Sequence, residues 1–117
     1  SGVGIFTGPS PVVYIPLVKD ERLMAAHGLL WDRLRPYAVV PNPYYDPARW
    51  MPHITLAYHE ADPKRLVCAL SEIAFHRIEL TIQVDHFAVL YQTDGRAGLR
   101  SRFGFKEQMI DGRVVPI

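Results

Sequence analysis

The chain has 117 residues, 49% of them hydrophobic, with 13 basic and 12 acidic side chains and a formal net charge of +1. Length and composition predict one globular domain with a real core and exclude a disordered chain. The near-balanced charge argues against a non-specific nucleic-acid binder, yet leaves room for a small nucleotide held by a few local groups.

Val3 to Phe6 is short and apolar and is broken by Gly8-Pro9-Ser10-Pro11. Val12 to Val18 (VVYIPLV) is β-branched and aromatic, which predicts a strand. Pro16 within it points to a sheet edge or to the end of the strand. Asp20 is a good N-cap, and Leu23, Ala26, His27, Leu30, Trp31 and Leu34 recur at helical spacing. The spacing predicts an amphipathic helix over 20–35, ended by Pro36. Residues 36–52 hold five of the ten prolines and keep no hydrophobic period, so a long surface loop is expected. Trp50 and Met51 close that loop, and His53 to Tyr58 reads as a strand.

Asp62-Pro63 is an N-cap followed by proline at the first helical position. Leu66, Val67, Leu70, Ile73 and Ala74 then mark a second amphipathic helix to about Phe75. Ile78 to Val84 and Phe87 to Gln92 are expected strands. Thr93 to Gly98 is a turn, and Leu99 to Phe105 is its hairpin partner. The tail from Lys106 to Ile117 is polar, then mildly apolar around Val114. Interleaved strands and helices followed by hairpin strands predict an α+β fold, a mainly antiparallel sheet covered by two amphipathic helices.

Cys68 is the only cysteine, so no intrachain disulfide or cysteine metal cluster is expected, and a reducing, cytoplasmic setting is the default. No apolar run approaches the ~20 residues of a membrane span. No signal peptide is visible. The opening SGVGIFTGPS lacks a Met and enters an apolar stretch at once, so Ser1-Gly2 reads as a cloning remnant and the chain as part of something longer.

The segment WMPHITLAY, residues 50–58, carries the chemistry. Strand alternation puts Ile54, Leu56 and Tyr58 on one face, suited to burial under the helices. His53, Thr55 and Ala57 then share the other face, with His53 and Thr55 about 6–7 Å apart along the strand. Histidine can accept or give a proton near neutral pH. A threonine hydroxyl can donate to a phosphoryl oxygen and hold it in line. In-line phosphoryl chemistry also wants a second proton-transfer group across the substrate. The bland alternative is a half-buried histidine hydrogen-bonded at a sheet surface.

An amphipathic helix ending in a proline-rich loop, then WMPHITLA, a polar link and a second amphipathic helix resembles the C-terminal half of the 2H phosphoesterase superfamily. These two-histidine enzymes include LigT-like 2′-5′ RNA ligases and 2′,3′-cyclic phosphodiesterases. The resemblance runs from Val3 to Phe105, through GVGIF, PVVYIPLV, the first helix, PHITLA and the closing hairpin. Only PHITLA is specific in it; the rest is order and spacing. It implies a bilobal α+β fold with one H-x-T/S motif per lobe facing a central cleft. The two histidines would serve as general base and acid on an RNA end or a small cyclic nucleotide, and the hydroxyls would bind the phosphate. It implies no metal and no cofactor. His53 and Thr55 match the second motif.

The other histidines begin HGL, HEA, HRI and HFA, so the sequence contains one H-x-T and no second. The first motif would normally precede GVGIF. Three accounts are open: a missing N-terminal lobe, a half-sized protein that pairs as a homodimer, or a non-catalytic homologue that binds phosphate or RNA ends. By itself the chain is expected to lack one proton-transfer group and to be a poor catalyst. A metal site from His53 and His59 lacks a recognisable further ligand set. His27 suits a core or interface role, and His76 and His86 suit the surface. Arg96, Arg100 and Arg102 cluster on the last hairpin. Arg100 and Arg102 share a face by alternation, either as a solvated strand or as an electropositive rim for phosphate, and Tyr91 is a candidate beside them. Tyr44, Tyr45 and Trp50 would either stack on a base or pack the loop down.

Overall fold

The computed structural model describes residues 2–58, 62–105, 107–110 and 113–116, the last two segments as backbone. The fold is α+β, and every strand pairing among the described residues is antiparallel. The chain forms two compact units, Ser1–Thr81 and Ile82–Ile117. Among the described residues the strands form three small sheets, β1-β2-β3 in the first unit, and β4-β5 and β6-β7 in the second.

In the first unit, β1 (Gly4–Phe6) and β3 (His53–Tyr58) flank the central β2 (Val12–Pro16). Pro16 is the last residue of β2, so its missing N–H interrupts no ladder. Helix α1 spans Glu21–Leu34, and the Asp20 carboxylate accepts from the Leu23 N–H at 2.8 Å. Helix α2 spans Pro63–Ala74, and Asp62 caps it through the Lys64 N–H. Both caps satisfy backbone donors that have no partner inside the helix. Leu66, Leu70 and Ile73 are the half-buried stripe of α2, while Val67 and Ala74 are exposed. Leu70 and Ile73 line a groove with Gly2, Val3 and Ile5, which places that stripe beside β1. Among the described residues Val13, Tyr14 and Ile15 form the buried apolar core, all on β2, as the middle strand requires.

The second unit is built on the hairpin β4 (His86–Thr93) and β5 (Arg96–Gly104). The turn is two residues, Asp94-Gly95, shorter than the six expected. Both have positive φ, 49° and 73°, the backbone that matches the twist of paired strands and that Asp-Gly adopts readily. Phe87 stacks on its cross-strand partner Phe103 at 5.0 Å. β6 (Glu107–Ile110) and β7 (Arg113–Pro116) form a second hairpin within the tail.

One expected strand does not form. Residues 78–84 belong to no helix or strand, and Leu80, Ile82 and Val84 are 60%, 44% and 47% exposed. A β-rich composition needs a partner edge, and this segment pairs with none.

Candidate active site

β3 is placed by its neighbours at both ends. Val12 pairs with Tyr58 and Pro16 with His53. Just before the strand, the Leu17 N–H donates to the Pro52 carbonyl at 2.9 Å, and Pro52 is buried. His53 is therefore delivered at the start of β3 from a fixed entry.

His53 Nδ1 lies 2.7 Å from the Met51 carbonyl oxygen. A carbonyl only accepts, so Nδ1 carries the proton and donates. Nε2 is then left with its lone pair, because the proton's position follows the bond made by the other nitrogen. The ring is held edge-on by two aromatics, Phe6 at 5.1 Å and Tyr14 at 5.3 Å, which themselves stack at 4.1 Å. Such edge-to-face pairs fix ring orientation as well as burying area. An imidazole locked in one tautomer, with Nε2 open, can take or return a proton at one defined atom.

Tyr14 reaches this position by lying across Gly4, its cross-strand partner. A Cβ on Gly4 would stand 2.6 Å from the Tyr14 hydroxyl. Gly4→Val should therefore push the Tyr14 ring off His53 and cost about 1–3 kcal/mol through overpacking. Thermal melts of the variant check this, and an unchanged Tm would contradict it.

Thr55 pairs with Tyr14, and His53 with Pro16, so Thr55 and His53 share the face that carries Phe6 and Tyr14. Thr55 is exposed. Beyond Thr55 the expected alternation fails. Tyr14 pairs with Thr55 and Val13 with Ala57, which leaves Leu56 as an extra residue in β3. A bulge of this kind reverses the faces that follow it. Ala57 consequently joins Val13, Ile15 and Ile54 on the opposite face, and Tyr58 joins His53 and Thr55. The expected burial of Leu56 and Tyr58 is corrected by the same feature: they are 44% and 62% exposed. The residue beside the His53-Thr55 pair is a phenol in place of the small Ala57.

The loop before β3 is pinned to α1 by His27. Its Nε2–H donates to the Tyr45 carbonyl at 2.7 Å, and its ring lies flat on Trp50 at 3.7 Å, with 7° between planes. Trp50 thus packs the loop down, whereas Tyr44 and Tyr45 stay exposed. Asn42 caps a 3-10 turn at Pro43–Tyr45. The sequence offered a signal for the His27 contact, a histidine on the apolar face of the helix, but nothing in it named the partner.

Tyr91, Arg100 and Arg102 lie on the hairpin of the second unit. Tyr91 pairs with Gly98 and Arg102 with Ala88, which puts Tyr91 and Arg102 on opposite faces. Val89 pairs with Ser101 and Leu90 with Leu99, so Arg100 is the extra residue of a bulge in β5. Alternation therefore does not carry from Arg102 to Arg100, which is the correction to their expected shared face. Sequence reading also missed the contact beside them. His86 Nδ1–H donates to Asp85 at 2.6 Å, and Arg102 Nη2 stands 3.2 Å from the same nitrogen as a neighbouring charge. The His86 hydrogen bond, with the Arg102 charge behind it, holds the Asp85 carboxyl below its ordinary value. A folded-state pKa below the unfolded one stabilises at neutral pH, and that contribution is lost as pH falls through the lowered value. His86→Ala should return the Asp85 midpoint upward in a carboxyl NMR titration; an unmoved midpoint would assign the shift to Arg102.

His59 lies outside the described residues. Among the described residues no three His, Cys, Asp or Glu side chains converge on one point, and no helix is long and apolar enough to cross a membrane. No curated protein and no solved structure matches the chain significantly. The family model described as the 2′-5′ RNA ligase superfamily matches residues 1–96, a span that contains both His53 and Thr55. With most of its length under that match, and with the single H-x-T on a sheet face, the chain belongs to the 2′-5′ RNA ligase superfamily, the LigT-like branch of the 2H phosphoesterases.

Proposed function

We propose that the chain supplies one half of a metal-independent phosphoesterase site for RNA-type ends, acting on a 2′,3′-cyclic phosphate or a 2′-5′ phosphodiester. The observation that carries this reading is that half-buried His53 and exposed Thr55 share one sheet face, with the His53 proton fixed on Nδ1 and Nε2 open. In hydrolysis of a cyclic phosphate, water forms a new bond to phosphorus while one ring P–O bond breaks. One histidine takes the water proton, and the other gives a proton to the departing ribose oxygen. His53 Nε2 is one of these two groups, and its role as base or acid reverses with the direction of reaction. The Thr55 hydroxyl donates to a non-bridging oxygen and holds the phosphorus in line.

The second proton-transfer group is proposed to come from another lobe or a second copy, because none of the other four histidines sits in an H-x-T or H-x-S. The single motif also supports a second reading, a module that binds phosphate or RNA ends without turning them over. One experiment separates the two. The 117-residue chain, verified as a monomer, is assayed on 2′,3′-cyclic nucleotides alone and with a lobe carrying the second motif. Turnover only in the mixture is the expected result. Turnover by the monomer alone would overturn the half-site, and binding of the nucleotide with no turnover in either arm would favour the binding module.

A further inference from the structure

We infer that His27 is a positioning residue for His53, acting through the loop turn that feeds β3. This rests on the reading of His53 as the proton-transfer group. One imidazole holds both ends of that turn: His27 Nε2–H on the Tyr45 carbonyl and the His27 ring face on Trp50. Between them, Asp46 organises the chain. Its carboxylate accepts from the Ala48 N–H at 2.9 Å, and its carbonyl accepts from the Arg49 and Trp50 N–H groups at 2.8 Å. The next residue after Trp50 is Met51, whose carbonyl holds the His53 proton on Nδ1.

The Met51 peptide is thus fixed on two flanks. Pro52 is tied to Leu17 on the β2 side. Trp50 is tied to His27 on the α1 side. Releasing His27 frees one flank while leaving the strand pairing of His53 intact. The carbonyl can then rotate away from Nδ1, and the His53 proton is no longer confined to that nitrogen. Aromatic stacking and a hydrogen bond to a backbone carbonyl are each modest, but both act on the same five-residue turn 46–50. A helix residue 26 positions earlier in sequence therefore sets which nitrogen of His53 is open for proton transfer.

The test uses the 117-residue chain labelled with 15N at histidine. Long-range 1H–15N spectra are recorded above the ordinary imidazole range, where the ring is neutral. The wild-type chain is expected to show His53 with its proton on Nδ1. His27→Ala and Trp50→Ala are each expected to raise the Nε2–H share of His53 several-fold. His27→Phe, which keeps a flat ring on Trp50, is expected to retain most of the wild-type pattern. A folded His27→Ala chain with an unchanged His53 tautomer overturns the inference, since a merely structural role lowers Tm without touching that ratio. Where the alanine variant loses its folded amide spectrum, His27→Gln decides in the same way. The readout needs no turnover, so the tautomer coupling stands or falls independently of whether His53 proves catalytic.

Discussion

His53→Ala is expected to lower turnover of a 2′,3′-cyclic phosphate end by about 10²–10⁴-fold in the two-motif assembly, the usual contribution of one positioned acid or base. The loss should fall on kcat, because the imidazole acts on protons that move only in the transition state. Its ring also packs against Phe6 and Tyr14, so alanine opens a gap there. His53→Gln keeps most of the volume and a donor toward Met51, yet has no group that titrates near neutral pH. It should lose as much rate as alanine while keeping the wild-type Tm. A His53→Gln assembly with wild-type turnover would remove His53 from the mechanism.

Thr55→Val is the second large effect, expected at about 10²–10³-fold in kcat, the scale of removing one preorganised donor to a developing charge. The substitution is nearly isosteric and suits a strand, so little stability should change with it. Thr55 is exposed and lies on the His53 face. Thr55→Ser keeps the donor and should retain most of the rate. A rise in KM with unchanged kcat for Thr55→Val would show uniform binding, and would remove the hydroxyl from transition-state stabilisation.

Much of the local structure was legible in the residues. Asp20 and Asp62 announced the two helix starts, and each caps where its side chain can reach a free N–H. Alternation and β-branching located β3 from His53 to Tyr58 to the residue. The WMPHITLA block led to the family, because a histidine and a hydroxyl two strand positions apart is a local pattern. Each of these features is written in a few adjacent residues.

What the sequence determined by itself was therefore both helices, the strand that carries His53 and Thr55, and the α+β class. Tertiary structure alone decided which neighbours that pair has. The extra residue at Leu56 turns Tyr58 onto the face of His53 and Thr55, and the extra residue at Arg100 breaks the pattern that linked it to Arg102. A bulge arises from how two strands are paired, so neither strand's own sequence contains it. The same holds for the unformed strand at 78–84, whose composition was suitable but which pairs with no described strand. It holds again for His27 and Trp50, 23 residues apart, whose stacking depends on where a proline-rich loop folds back onto α1. Local preference writes strands and helices; pairing across distance decides which side chains stand beside His53 and Thr55.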